Sequence, residues 1–209
     1  MRITELLFVL LFLGTLVTLL WILILTVRRH WARAKRLGLA VGIVWVVYLA
    51  IVIGTAAGEP QHSLPMNQDR CFDEICFSVF DFAVVSQLGP AASPVKAAGK
   101  FYVVTVRVSS RSRGRAQSEN GIRARLWNSG EYFPVSNRGE QAWEASHGMT
   151  SSLTARLNPG ESVLSVQVFD VPADVPSPGL VLDHGFTPGF FVIGECPLFH
   201  KPTIVQLAS

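Results

Sequence analysis

Two long runs without a charged side chain, close together near the N-terminus, constrain this chain more than anything else in it. Leu6 to Val27, LLFVLLFLGTLVTLLWILILTV, holds 22 residues. At about 1.5 Å of rise per residue such a helix reaches about 33 Å, enough for a hydrocarbon layer of roughly 30 Å. Leu37 to Ala57 is a second uncharged run, and only nine residues separate the two. A buried helix of a soluble domain does not need two such stretches side by side. A cleaved signal peptide fits the first run poorly, because charge follows it rather than an A-x-A site. Cleavage after the second run stays open at Gly54-Thr55-Ala56, although the run exceeds the roughly 7–15 residues of an ordinary signal core. The expectation is two transmembrane helices, at 6–27 and 37–57, joined by a loop at 28–36.

Charge sets the orientation. The connecting segment RRHWARAKR carries five Lys and Arg in nine residues, and no Lys or Arg occurs between Leu37 and Arg70. The positive-inside rule then puts 28–36 in the cytoplasm and sends everything after Gly58 to the far side of the plasma membrane. Gly38 and Gly42 form a G-x-x-x-G pair, which lets helix backbones approach closely. It is a candidate packing face for a homodimer or for the hairpin itself.

The sequence contains 18 Lys and Arg and 15 Asp and Glu, and its basic pI comes from one short stretch. Six of the basic residues precede position 58. From Glu59 onward twelve face fourteen acidic ones, so the C-terminal part is slightly acidic. General nucleic-acid binding loses its main support.

Residues 58–70 read as a polar linker with two prolines, and 71–209 as one folded domain. There the apolar positions alternate. Tyr102, Val104, Val106 and Val108 oppose Thr105 and Arg107. Ile122, Ala124 and Leu126 oppose Arg123 and Arg125. Leu164, Val166 and Val168 oppose Ser165 and Gln167, and Phe80, Phe82 and Val84 share a face. A period of two with β-branched and aromatic residues predicts half-buried strands. Leu153–Leu157, Leu180–Leu182, Phe190–Ile193 and Thr203–Leu207 are further strand candidates, and Gln141–His147 is a candidate helical turn. Turn signals at Leu88-Gly89-Pro90, Asn128-Ser129-Gly130 and Asn158-Pro159-Gly160 separate the runs. Seven or more short strands over about 130 residues predict an all-β sandwich.

The segments Gly99–Val108 (GKFYVVTVRV), Leu157–Ser162 (LNPGES), Val168–Pro172 (VFDVP) and Phe199–Thr203 (FHKPT) resemble the bacterial telokin-like extracellular domains. These are immunoglobulin-like sandwiches of unknown function, often tethered to the cell surface. The resemblance covers about residues 70–207. It implies the fold and the side of the membrane, and it carries no catalytic residues. It departs at the anchor, which here is a two-helix hairpin.

Cys71 and Cys76 bracket Phe72-Asp73-Glu74-Ile75. Outside the cytoplasm such a pair oxidises, closing a small loop. Cys196 is left over, so its pairing with either partner stays open. A thiol redox site lacks the C-x-x-C spacing. None of His30, His62, His147, His184 or His200 forms H-x-H or H-E-x-x-H, and no Gly-x-Ser-x-Gly elbow or phosphate-cradling Gly-rich loop is present. No metal or cofactor is expected. The Asp73-Glu74 pair reads as solvated acids. Arg107, Arg111, Arg113, Arg115, Arg123 and Arg125 cluster in sequence around an expected hairpin loop at Ser109–Gly121. Guanidinium groups suit carboxylates and phosphates. They are the candidate patch for an anionic envelope polymer, a lipid headgroup or an acidic protein, against the plain alternative of a solvated loop. The sequence therefore points to a membrane-anchored, non-enzymatic extracytoplasmic binding module. An accessory subunit of a membrane transport or secretion complex is the alternative, and a surface hydrolase a weaker one.

Overall fold

The computed structural model describes residues 3–183 and 201–207, with the side chains of 3–5 left aside. The proposed strand Phe190–Ile193 and the residues His184, Cys196 and His200 lie outside the described residues. The chain divides into a helical unit, which includes residues 3–60, and a β unit, which includes 61–183 and 202–207.

The helical unit holds α1 (Ile3–Val27) and α2 (Trp31–Gly58). The bend is tighter than the sequence suggests. Arg29 adopts a left-handed conformation at φ 60°, His30 N–H donates to the Leu25 carbonyl and Arg29 N–H to the Thr26 carbonyl. This is the Schellman closure that lets a chain leave a helix within two residues. As a result Arg33, Lys35 and Arg36 sit in the first turns of α2 rather than in a loop, and only residues 28–30 connect the helices.

Apolar residues surround both helices. Val17 is 68% exposed and Leu39 67%, as expected of helices with no aqueous face to present. The helices meet through Trp45, whose indole N–H donates to Thr15 Oγ1 at 3.0 Å, and through the Phe8 and Tyr48 rings, 6.4 Å apart. Thr15, Thr18 and Thr26 donate their hydroxyls to carbonyls four residues back, so these three polar side chains are satisfied within the helix itself.

The β unit is a sandwich of two sheets. One orders its strands β2 (Arg70–Phe72), β3 (Ile75–Leu88), β4 (Val95–Ser110), β7 (Ser162–Val171). The other orders them β1 (Ser63–Leu64), β9 (Ile204–Gln206), β8 (Gly179–Asp183), β5 (Arg123–Asn128), β6 (Glu131–Pro134). All pairings are antiparallel except β1 with β9, so the second sheet is mixed. β1 takes residues that the sequence suggested were linker. The domain is also not purely β. An 11-residue helix, α3 (Asn137–His147), follows β6, longer than the single turn expected there.

Phe77, Val79, Val104, Val106, Leu126, Phe169 and Leu180 form the inter-sheet core, with Tyr102, Val108, Ile122 and Ala124 on the predicted inward face. Two faces differ from expectation. A register shift between Val79 and Asp81 breaks the alternation of β3, so Phe82 packs inward while Phe80 is 49% exposed. In β7 it is Val163, Ser165 and Phe169 that face inward. Val168 is buried on the opposite face beneath α3, and Leu164 stays exposed. A period of two fixes which residues share a face, but both faces of β7 are partly covered, so it does not fix which face is the core. The Leu153–Leu157 run forms no strand and contributes only a bridge between Leu157 and Gln117.

Candidate binding cleft

Helix α3 is placed by three local features. Ser136 Oγ accepts from Gly139 N–H at 3.1 Å, capping the first turn. Gly139 lies against Val168, where a Cβ would come within 2.5 Å of Cγ1, so only glycine allows this approach. Ala142 and Trp143 then pack on Phe101, Val103 and Val168. The helix ends at Gly148, with φ 85° and its N–H on the Glu144 carbonyl.

Beside α3 a cleft of about 650 Å³ opens at the edge of the sandwich. Its walls are Ile122 and the start of β5 from Arg123 to Arg125, β7 from Val166 to Val168, the α3 side chains Glu140, Trp143 and Glu144, and the loop at 150–154. The loop contributes the hydroxyls of Thr150, Ser151, Ser152 and Thr154. Trp143 stacks one ring face on His147 at 3.7 Å. Partial burial, and then the neighbouring charge of Glu144, raise the pKa of Glu140 above the usual carboxylate range. On the opposite wall Arg125 Nη2 lies 2.5 Å from Asp183 Oδ2, and its guanidinium sits 4.3 Å over the Tyr132 ring. Arg70, which donates to the Thr203 carbonyl, is half-buried. Burial lowers its pKa, and the charge of Asp183 opposes that shift. A second cavity of about 490 Å³, bordered by Gln61, Trp127 and Gln206, lies where β1, β9 and β5 end.

The six arginines singled out in the sequence do not form one patch. The segment after β4 crosses from one sheet to the other instead of turning a hairpin, so Arg107 lies on the first sheet and Arg123 and Arg125 on the second. Arg107 sits 5.4 Å over the Phe80 ring, and Arg111 pairs with Asp69 at 2.6 Å. Arg113 and Arg115 are exposed on the crossover. That crossover is held by paired backbone bonds between Gln117 and Leu157, and by Ser112, whose hydroxyl donates to the Arg115 carbonyl.

Cys71 and Cys76 are bonded, on facing positions of the β2–β3 hairpin. Gly38 and Gly42 are exposed, and nothing lies within 4 Å of where their side chains would be, so hairpin packing does not use them. Among the described residues no three His, Cys, Asp or Glu side chains converge.

Glu140, Trp143, Glu144 and Asp183 were not singled out from the sequence. The i, i+4 spacing of the two glutamates was the one available signal, and it is also the ordinary pattern of a solvated helix.

These features define a β-sandwich protein carrying two long apolar helices at its N-terminus. Solved structures similar to it in fold include a conserved hypothetical protein from Bacillus anthracis, with a TM-score of 0.47 at 15% identity over 57% of this chain and 87% of that one. The secreted protein MPT63 from Mycobacterium tuberculosis gives a TM-score of 0.45 at 12% identity over 71% and 98%. An uncharacterized β-sandwich protein from Clostridium difficile gives 0.40 at 11% over 72% and 96%. No family model matches the sequence, and no curated protein does.

Proposed function

We propose that the chain is a membrane-anchored, non-enzymatic binding module that holds its sandwich outside the cytoplasm, akin to the telokin-like extracellular domains it resembles. One observation carries the reading: two helices with exposed apolar surfaces meet at a bend where Arg28, Arg29, Arg33, Lys35 and Arg36 gather. Basic residues resist translocation, so such a bend stays on the side of synthesis and the following domain is exported. The lipid bilayer is then the first partner. The exposed Arg113 and Arg115 offer a contact for a protein or anionic polymer of the envelope.

The test is topological. Protease added to intact cells should remove the sandwich and leave the hairpin. Survival of the sandwich in intact cells, with loss only after lysis, would overturn the reading.

The outer face of α2 favours a second role alongside the first. Gly38 and Gly42 point away from α1 and leave a smooth strip on which another helix fits. That helix would belong to a second copy or to a larger membrane complex. Gly38→Leu with Gly42→Leu should abolish crosslinking between chains while leaving the hairpin intact. Unchanged crosslinking would dismiss this role.

A further inference from the structure

The cleft beside α3 is bounded by strand edges, not by strand faces. Successive side chains of a strand point to opposite sides, so a pocket resting on one face touches every second residue. Here three consecutive residues of β5, Arg123 to Arg125, with Ile122 just before them, and three of β7, Val166 to Val168, border the cavity. It therefore opens onto their backbones.

The reason lies in the length of β6. That strand spans four residues, pairs with β5 from Arg125 onward, and ends at Pro134. Past it, Val135 makes one bridge to Phe169, and Ser136 N–H donates to the Val168 carbonyl at 2.7 Å, before the chain leaves as α3. Among the described residues no strand continues that ladder along β7, which is the last strand of its sheet. The slot is the place where a strand is missing. Gln167 marks the vacancy, since its own amide Nε2 donates to the Val166 carbonyl at 3.0 Å.

The walls say what kind of segment fits. Ile122, Ala124 and Leu153 make an apolar floor. Glu140 and Glu144 stand one helical turn apart over the slot, with Trp143 between them. Two arginines, Arg123 and Arg125, also border the slot, and Arg125 is already matched by Asp183. A cationic side chain with an aliphatic stem meets the two carboxylates and lies along the indole.

We propose that this slot binds an extended peptide segment of a partner protein, added as a strand to the edge of β7, with a Lys or Arg side chain held by Glu140 and Glu144. Main-chain bonds to an open edge supply affinity in this mode, and a side-chain pocket supplies selection. The inference rests on the reading of the sandwich as a binding module, but not on its membrane topology, so an assay on purified protein and the cell-protease assay fail independently.

The test uses the full chain in detergent and the peptide acetyl-Thr-Val-Lys-Val-Thr-Val-amide. Binding is expected, weakened at least tenfold by Lys→Glu in the peptide and by N-methylation at alternate residues in at least one of the two phases. Glu140→Gln with Glu144→Gln should weaken the lysine peptide about tenfold and leave its norleucine analogue unchanged. Thermal melting of the variant at or above the parent's temperature excludes a folding defect. The proposal is overturned if the peptide does not bind, or if both N-methylated forms bind as well as the parent. It is equally overturned if the glutamate variant affects the lysine and norleucine peptides alike, or if a chito-oligosaccharide binds the slot and the peptides do not.

Discussion

The contact between α3 and the first sheet gives a prediction whose size follows from distances. A methyl group at position 139 would meet Val168 Cγ1 at 2.5 Å, Phe101 Cε1 at 3.3 Å and Ser136 Oγ at 3.3 Å. Phe101 and Val168 are fully buried, so neither can swing into solvent. Overpacking of this kind costs about 1–3 kcal/mol, and Ala gains back up to about 1 kcal/mol over Gly in a helix. Gly139→Ala should therefore destabilise by about 1–2 kcal/mol. Val168→Ala removes two methyl-sized groups from the same site, worth about 1.6 kcal/mol of transfer, or about 2 kcal/mol with the residual cavity. The clash and the cavity occupy the same space. The double variant should lose only about 1–2 kcal/mol, well short of the roughly 3–4 kcal/mol sum. Urea unfolding of the full chain in detergent, followed by tryptophan fluorescence from Trp127 and Trp143, measures all four corners of the cycle. Additivity within about 0.5 kcal/mol, the behaviour of independent sites, would refute the claim that Gly139 is there to let α3 reach Val168.

Other perturbations separate structural from available groups. Cys71→Ser with Cys76→Ser should cost about 2 kcal/mol, the loop-closure value for so short a ring, read as a shift of the urea midpoint that reductant reproduces in the parent protein. For Glu140 the folded state holds its proton more tightly than the unfolded chain, because of burial and then Glu144. That contribution is present below the ordinary Glu value of about 4.3 and is lost as pH rises through the raised value. Glu140→Gln should accordingly stabilise the protein at pH 7, with the gain shrinking toward pH 4 in a series of urea midpoints. Arg125→Ala should cost about 1–2 kcal/mol, because it leaves the partly buried Asp183 short of a charge-assisted bond. Arg113→Glu with Arg115→Glu should stay within about 0.5 kcal/mol of the parent and still abolish retention on an anionic polymer column. Retention that survives would remove those two arginines from the binding surface.

What the sequence reveals and what it hides divide along one physical line. Signals carried by neighbours in sequence are legible: the uncharged length of α1 and α2, the alternation in β4 and β5, the Asn128-Ser129-Gly130 turn, where Ser129 and Gly130 both take positive φ, and the cysteines that meet across one hairpin. Signals that need the fold are not. The register shift after Val79 moves Phe80 from core to surface. The outer cover supplied by α3 turns Val168 into a second core and leaves Ser165 facing the first. Both changes break the equation of apolar with inward that strand reading relies on. The arginines show the same limit in function. Six lie within nineteen residues, yet a chain that crosses between sheets separates neighbours as surely as a hairpin would have joined them. Conversely, Arg125 and Asp183 lie 58 residues apart and form an ion pair. The cleft is the extreme case. It is made by a strand that stops early, and an unfilled place in a ladder of hydrogen bonds has no residue of its own to be read.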